Sequence, residues 1–233
     1  MKNIKLLSLF FLSVVVLSAC SSDENLLSET EQKNSLKSYK VKRNASGAYF
    51  LDYELENDVK SQSIKNLETN VNEFHLYPSE FENNQRRQSE ELFIDGNQLN
   101  IGFIDSRMDR KSNITIEDDN ITLAKNSAKN EEMLSEYSVF SNEDGTINLD
   151  FKVNNKVSVE FVYNEIENIY EIHLEKGNSN EADFSRSFIK NEGEVLRIDF
   201  VTHTNTDASA KGDAVGSVSK RRKPRILLST DDV

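Results

Sequence analysis

The sequence has little of several residue types that mark large classes of protein. Its 233 residues include one Cys, two Pro, eight Gly and no Trp. A single Cys excludes a domain held together by disulfides, and so little Pro and Gly excludes a collagen-like or low-complexity chain. With 36% hydrophobic residues, the chain can build a core but is too polar for a membrane protein with many spans. Core packing must therefore supply its stability.

Motifs that carry known chemistry are also missing. The sequence has no Gly-rich phosphate loop, GxSxG elbow, HExxH, Cys/His cluster or complete EF-hand loop, so we predict no metal, no cofactor and no recognisable catalytic set. A net charge of -12 should repel nucleic acid, and no aromatic residue interrupts the one basic run, Lys220–Arg225. That run is by default a solvated segment, and otherwise has three interpretations: a site for lipopolysaccharide phosphate, a site for an acidic partner, or a partner of the protein's own acidic body. We predict no nucleic-acid partner.

The first residues have the order of a secretory signal. Lys2 and Lys5 precede an apolar stretch, residues 6–16, that is too short to span a bilayer. The stretch closes on Leu-Ser-Ala-Cys at residues 17–20, which resembles the lipobox of bacterial lipoproteins. The resemblance implies that residues 1–19 are removed as a signal peptide and that lipidated Cys20 anchors the protein to a membrane. The alternative is a plain signal peptide with a coincidental Cys.

The residues after Cys20 suggest where the anchor places the protein. Ser-Ser-Asp-Glu at residues 21–24 resembles the Ser- and acid-rich export signal of surface lipoproteins in some Gram-negative bacteria. We therefore expect a location on the outer membrane, with surface exposure favoured over the periplasmic leaflet. Residues 20–38, the lipidated Cys and the segment after it, contain too few apolar residues to bury and are expected to form a flexible tether.

Alternating apolar and polar residues predict a β domain over residues 39–203. Residues 49–55 alternate with a period of two, which is typical of a half-buried strand. Residues 146–153 and 157–163 alternate in the same way on either side of Asn154 and Asn155, and two consecutive Asn tolerate the backbone of a tight turn. We therefore predict an antiparallel hairpin across these two Asn.

Similar patterns predict the remaining architecture. Further strands are expected at residues 92–94, 99–103, 114–116, 121–123, 170–174, 184–189 and 196–200, with a short helix between 127 and 137. The predicted fold class is all-β, an antiparallel β-sandwich of hairpin meanders, with a β-barrel as the alternative. No repeat of fixed period is apparent. Residues 204–233 are assigned to a polar and basic C-terminal tail, in which the piece after Pro224 offers one last strand.

Two clusters of acidic and amide side chains are candidate oxygen ligands, and the first of them is also a candidate pair of catalytic acids. They are residues 117–120, Glu-Asp-Asp-Asn, and residues 142–145, Asn-Glu-Asp-Gly. Clustered carboxylates bind calcium or form the acid and base pair of a glycoside hydrolase. Turns between strands favour the same residues for conformational reasons, and this structural interpretation is preferred.

The candidate ligand-binding residues are His173, Glu171 and Glu175. They share one face of a predicted strand, opposite its apolar face, so a titratable group flanked by two acids should lie on a rigid element. With the anchor and the lack of catalytic motifs, this predicts a non-catalytic domain that binds an envelope or extracellular ligand, such as a glycan or an envelope protein. The alternatives are an envelope hydrolase acting on glycan or peptide, and a structural subunit of an envelope complex.

Overall fold

The computed structural model describes residues 34–81, 86–108, 110–119, 133–142, 144–191, 193–205 and 218–232. These residues contain β-strands, turns and irregular segments, and no helix. Two sheets pack face to face as a sandwich, which confirms the all-β class and the sandwich rather than the closed barrel.

The smaller sheet has six strands and is antiparallel throughout. Their order across the sheet is β12-β9-β8-β1-β2-β5. The strands are β1 (Leu36–Arg43), β2 (Tyr49–Leu55), β5 (Arg87–Glu91), β8 (Leu134–Ser141), β9 (Thr146–Val153) and β12 (Asp183–Ile189).

The larger sheet has eight strands in the order β10-β11-β13-β14-β7-β6-β4-β3. It is mixed, because β4 runs parallel to β6 and β11 runs parallel to β13. The strands are β3 (Val59–Asn66), β4 (Val71–Pro78), β6 (Gln98–Asp105), β7 (Arg110–Glu117), β10 (Val157–Asn164), β11 (Ile169–Lys176), β13 (Leu196–Asn205) and β14 (Val218–Asp232).

One continuous core fills the space between the two sheets. Alternate side chains of each central strand point inward, as in β2, where Tyr49, Leu51, Tyr53 and Leu55 are buried and the residues between them are not. The alternation read from the sequence therefore identifies the inward face of these strands correctly. Fully burying one such side chain contributes about 1.5–3 kcal/mol, so this stripe is the main stabilising feature of the sheet.

The hairpin predicted across Asn154 and Asn155 is wrong, although its strands are correct. β9 and β10 lie in different sheets: β9 pairs with β8 and β12, whereas β10 pairs with β11. The chain crosses the sandwich at this turn, where Lys156 has a φ of 65°. A hairpin and a crossing between sheets both keep the apolar side chains on the core, so alternation alone does not distinguish them.

Two smaller expectations also differ from the structure. Residues 92–94 are not a strand, although the tight turn after them is present, with Gly96 at a φ of 58°. Residues 134–137 belong to β8 rather than to the predicted helix, whose preceding part lies outside the described residues. The strand expected at 121–123 also lies outside them.

The strand arrangement has an internal two-fold symmetry that the sequence analysis missed. Exchanging β1–β7 (the first half) for β8–β14 (the second half) reverses the order of each sheet and leaves it otherwise unchanged. The symmetry axis passes between β1 and β8 in one sheet and between β7 and β14 in the other. Each of these pairs is antiparallel, with Val41 opposite Val139 and Ile116 opposite Ile226.

The sequence carries the same duplication. Residues 36–78 align with residues 134–176 without a gap. Identical pairs include Leu36/Leu134, Tyr39/Tyr137, Val41/Val139, Asn44/Asn142, Gly47/Gly145, Leu51/Leu149, Asp52/Asp150, Asn70/Asn168, Glu73/Glu171 and His75/His173. Gly47 and Gly145 have φ values of 81° and 79°, so both halves use the same left-handed turn residue. The expectation that the sequence contains no repeat is therefore wrong. The repeated unit occurs only twice and its identical residues are scattered, so the repeat is not apparent in the sequence pattern.

Residues 218–232 form β14, the strand between β13 and β7, rather than part of a separate tail. The last strand considered after Pro224 is thus present and begins well before it. Ile226 and Leu228 face the core and are buried, whereas Arg222 and Arg225 point to the outer face. Consecutive basic residues concealed this alternation in the sequence. Of the expected tail, residues 206–217 lie outside the described residues.

Candidate functional site

The structure brings the three predicted site residues together on β11 and adds a second histidine from β13. His173 lies between Glu171 and His203: its Nε2 is 2.8 Å from Glu171 Oε2 and its Nδ1 is 2.8 Å from His203 Nε2. Glu175 Oε1 is 3.6 Å from His203 Nδ1. The result is a chain of polar contacts along the outer face of the eight-stranded sheet.

One arginine of β14, Arg222, pairs with the Glu171 end of this chain of contacts. Arg222 lies 3.0 Å from Glu171 and 2.9 Å from Glu167. Partial burial acts to raise the pKa of Glu171, but the hydrogen bond to His173 and the charge of Arg222 outweigh it and hold that pKa below its ordinary value. Glu171 therefore stays ionised to lower pH than a free Glu.

The basic run pairs with the protein's own acidic residues wherever its side chains are described. Arg225 lies 3.2 Å from Asp199 and 3.6 Å from Glu117, and Lys223 lies 3.0 Å from Asp119. Asp199 is fully buried and also contacts Arg197 at 3.0 Å. Of the three interpretations of the run, these contacts fit the last, in which its charges neutralise the acidic body.

The cluster around His173 is therefore already satisfied by its own members. The side chains of His173 and His203 are 15% and 13% exposed, and Glu171 is 8% exposed. Among the described residues, no group of three or more His, Cys, Asp or Glu has an arrangement that could hold a metal ion. His173, His203 and Glu171 therefore offer a ligand little surface, whereas the Glu175 side chain is 58% exposed, and ligand binding at this cluster stays a prediction.

One of the two acidic clusters contains a buried ion pair that the sequence did not reveal. Asp118 is fully buried inside the sandwich, 2.9 Å from Arg43 Nε, and accepts a hydrogen bond of 2.8 Å from the Tyr49 hydroxyl. The hydroxyls of Tyr49 and Tyr137 are 2.7 Å apart. Burial raises the pKa of both tyrosines well above the ordinary value, so they stay neutral hydrogen-bonding groups. In the other cluster, Asp144 accepts hydrogen bonds from Thr146 within a turn.

The outer face of the six-stranded sheet presents a different kind of surface. Its outward side chains alternate with the buried stripes and form polar rows across the strands, interrupted by Phe50 and Phe140. Lys40 Nζ lies over the Phe140 ring, 5.0 Å from its centroid. Lys42 forms an ion pair with Asp52, and their side chains are 43% and 35% exposed. This face therefore offers accessible hydrogen-bonding groups beside aromatic surface.

Two grooves lie on this face, one in each half of the sheet. The first, of about 600 Å³, is lined by Lys40, Asp52, Arg87, Ser89 and Phe140, among others. The second, of about 550 Å³, is lined by Lys42, Glu136, Asp150, Lys152 and Ser185, among others. The strand pairings place Asp52 beside Ser89 and Asp150 beside Ser185, which are equivalent positions in the duplicated fold. The grooves are thus two copies of one structural feature.

The equivalent polar pairs in the grooves have nearly equal geometry. Ser89 donates a hydrogen bond of 2.6 Å to Asp52, and Ser185 donates one of 2.7 Å to Asp150. Partial burial acts to raise the pKa of Asp52, but hydrogen bonds from Lys42 and Ser89 outweigh it and keep the pKa below its ordinary value. Because a carboxylate oxygen accepts more than one hydrogen bond, each Asp can also receive a ligand hydroxyl.

This face was missed because single-strand alternation marks outward residues only as polar. The signal that points to it is the repeat: Asp52 and Asp150 are identical at an outward position, where core packing does not determine the residue. The predicted lipidation site, Cys20, lies outside the described residues, so its lipidation stays a prediction. No helix long and apolar enough to cross a membrane is found in the part of the chain that the structure describes.

The fold and the grooves define an all-β sandwich of two related halves with a duplicated polar face. Comparison of the chain with protein-family models, with curated proteins and with solved structures finds no match. The argument for function therefore depends on the chemistry of the face.

Proposed function

We propose that this protein is a lipid-anchored, non-catalytic module that binds a glycan on the outer face of its six-stranded sheet. The observation that carries the proposal is the pair of grooves lined by Asp–Ser hydrogen bonds, lysines and Phe140. A sugar presents hydroxyls to carboxylates and ammonium groups, and its apolar ring face stacks on an aromatic side chain. Shallow grooves on a sheet suit an extended chain better than a small enclosed ligand.

The charge of the molecule favours a neutral glycan. The chain carries a net charge of -12, and both grooves contain carboxylates, so a sulfated or uronic-acid polymer is repelled. Lys42 is paired with Asp52, so one of the central cations of the face is neutralised locally. A neutral, hydroxyl-rich chain avoids the repulsion and uses the same hydrogen-bonding groups.

The ionisation of Asp52 suits a hydrogen-bond acceptor better than a catalytic acid. A glycoside hydrolase needs one carboxyl group whose raised pKa lets it act as an acid. Asp52, in the first groove, has a pKa displaced in the opposite direction, and so has Glu171 on the other sheet. These groups stay ionised and accept hydrogen bonds, which is the role required of a binding surface.

The binding proposal is tested with the full-length protein in detergent and neutral hexasaccharides of glucan, mannan and xylan. We expect at least one of them to bind, and a sulfated hexasaccharide to bind at least tenfold more weakly. The double variant Asp52→Asn with Asp150→Asn should lose binding, whereas Glu160→Gln, an exposed residue of β10 in the other sheet, should retain it. Failure of all three neutral oligosaccharides, or unchanged binding by the double variant, would overturn the proposal.

The anchor is tested separately in cells. A fatty-acid analogue should label the wild type, and the label should be absent from Cys20→Ser. Two or more acyl chains hold a protein stably on a membrane, since each buried methylene contributes about 0.8 kcal/mol. Label persisting on the variant would contradict lipidation at Cys20 and leave the binding proposal unaffected.

A further inference from the structure

The two grooves correspond to each other across the symmetry axis of the sheet. β1 and β8 lie at the axis, so the groove of the first half extends toward β5 and that of the second half toward β12. Asp52 and Asp150 stand on strands separated by three strand spacings, which is about 15 Å. Lys40 lines both grooves and Lys42 of the second is paired with Asp52 of the first, but each groove has its own Asp and its own Ser donor.

We infer that each chain binds two glycan segments, one in each groove, and that the two segments run in opposite directions. The inference rests on the proposed glycan function and adds its stoichiometry and geometry. A glycan chain has a direction, and the axis that exchanges the grooves reverses every strand of the sheet. Two segments that make equivalent contacts are therefore antiparallel, so the protein joins two strands of polymer or two turns of one strand.

The two sites differ in strength because one position differs between them. Phe140 lines the first groove, with Lys40 over its ring, whereas its equivalent in the second groove is Lys42. An aromatic pair contributes about 0.5–1.5 kcal/mol beyond its buried area, so a sugar stacked on Phe140 gains affinity that the second groove lacks. The first groove is the tighter site, by about two- to thirteenfold.

Chain length should change the apparent affinity because the sites lie on one rigid sheet. A short oligosaccharide fills each groove independently. A long polymer that occupies both grooves makes its second contact within one complex, and such linkage raises the apparent affinity by about 10²- to 10⁴-fold. A gain with chain length is therefore a second mark of two sites.

The test is titration calorimetry of the full-length protein with neutral trisaccharides of glucan, mannan and xylan. We expect two molecules of the trisaccharide that binds per chain, in two affinity classes. Asp52→Asn should remove the tighter class, Asp150→Asn should remove the weaker class, and Phe140→Ala should weaken the tighter class about two- to thirteenfold and leave the other unchanged. Native mass spectrometry of the same variants counts the bound sugars independently.

The outcomes separate this inference from the proposed function. One sugar per chain that either Asp variant abolishes would show a single composite site and overturn the inference, while glycan binding itself remained. One sugar per chain with a silent Asp150→Asn would also overturn it. Binding of no trisaccharide together with no hexasaccharide would remove the proposed function, and the inference with it.

Discussion

The two halves of the molecule share a backbone plan but solve the packing of their cores differently. In the first half Tyr49 and Tyr53 face inward and hydrogen-bond through their hydroxyls; the equivalent residues of the second half are Ile147 and Phe151. All four are buried. A buried, mainly apolar side chain at the inward position is therefore what the two halves share, and a hydroxyl is tolerated where a partner is available.

The outer face of the eight-stranded sheet shows the reverse difference. Both halves pair a Glu with a His on the same strand: Glu73 lies 3.0 Å from His75, and Glu171 lies 2.8 Å from His173. The second half then adds His203, where the pairing of β4 with β6 places Ser106 in the first half. The shared Glu–His pair is sufficient for the fold, and the extension is specific to the second half.

The largest expected effect is on the buried ion pair, which only one half contains. Arg43 contacts Asp118 at 2.9 Å, and the residue equivalent to Arg43 in the second half is Ser141. Asp118→Asn should destabilise the protein by about 3–5 kcal/mol, because it leaves a buried guanidinium without that countercharge. Urea denaturation at pH 7 measures the loss, with the exposed turn variant Asp144→Asn as the control.

The double variant Arg43→Met with Asp118→Leu sharpens the same comparison. If apolar packing can replace the ion pair in the first half, as in the second half, the double variant should lose less stability than Asp118→Asn alone. If the double variant loses at least as much stability as Asp118→Asn alone, the first half depends on its polar cluster.

The next effect compares equivalent core aromatics. Phe103 packs on Tyr39 and Phe74, and Phe200 packs on Tyr137 and Phe151. Phe103→Ala and Phe200→Ala should each cost about 3–5 kcal/mol, since both rings are buried in one core. Chemical denaturation should give similar losses for the two variants.

A control for these variants is Phe161→Ala, at the β10 edge of the sheet. Phe161 is only half-buried, so this change should cost clearly less than the other two. The sequence pattern alone predicts full burial of Phe161, so an equally large loss would favour that expectation over the structure.

The sequence predicts which residues form strands better than it predicts how the strands pair. Alternation identifies β2, β9, β11 and β12 nearly to the residue, because inward parity is a local property. The crossing at Asn154 and Asn155 is a tertiary choice between two sheets, which a local pattern does not contain.

The candidate site shows the same limit more strongly. His173 is correctly placed on an outer face, but its burial depends on His203 and Arg222, which are distant in sequence. The grooves require six strands to be assembled in order before their residues become neighbours. In the sequence, the equivalence of Asp52 and Asp150 becomes visible only when the two halves are aligned.

A smaller effect distinguishes the two Glu–His pairs by the stability that each contributes at pH 7. Glu171→Gln should cost about 1.5–3 kcal/mol at pH 7, because it removes charged contacts to His173 and Arg222 in a buried position. Glu73→Gln should cost less, since the Glu73 side chain is more exposed and contacts His75 and Asn66. Urea titrations of both variants at pH 7 measure this difference.

The sign of the pH dependence follows from the lowered pKa of both carboxyls. A carboxyl whose pKa is lower in the folded state stabilises the protein above the unfolded value, and that contribution is lost as pH falls through the folded pKa. The ordinary value is 4.5 for each, so both deficits should shrink as the pH is lowered from 4.5. A deficit for Glu171→Gln that grew as the pH fell below 4.5 would contradict the assigned contacts.

The smallest effect tests the turns where the chain crosses between the sheets. Lys156 has a φ of 65° in the second half, a conformation that Gly adopts without strain. The equivalent residue of the first half, Asp58, does not have a positive φ, and its side chain pairs with Arg107 at 2.7 Å. Lys156→Gly should therefore raise the free energy of unfolding by about 0.5–1 kcal/mol, and Lys156→Val should lower it by about 1–2 kcal/mol because a β-branched side chain is strained there. Asp58→Gly should be destabilising, since Gly gains freedom in the unfolded chain with no strain to relieve in the folded one. Opposite signs for the two Gly variants would show that the halves share their crossing but not its backbone conformation, and equal signs would contradict the left-handed assignment at Lys156.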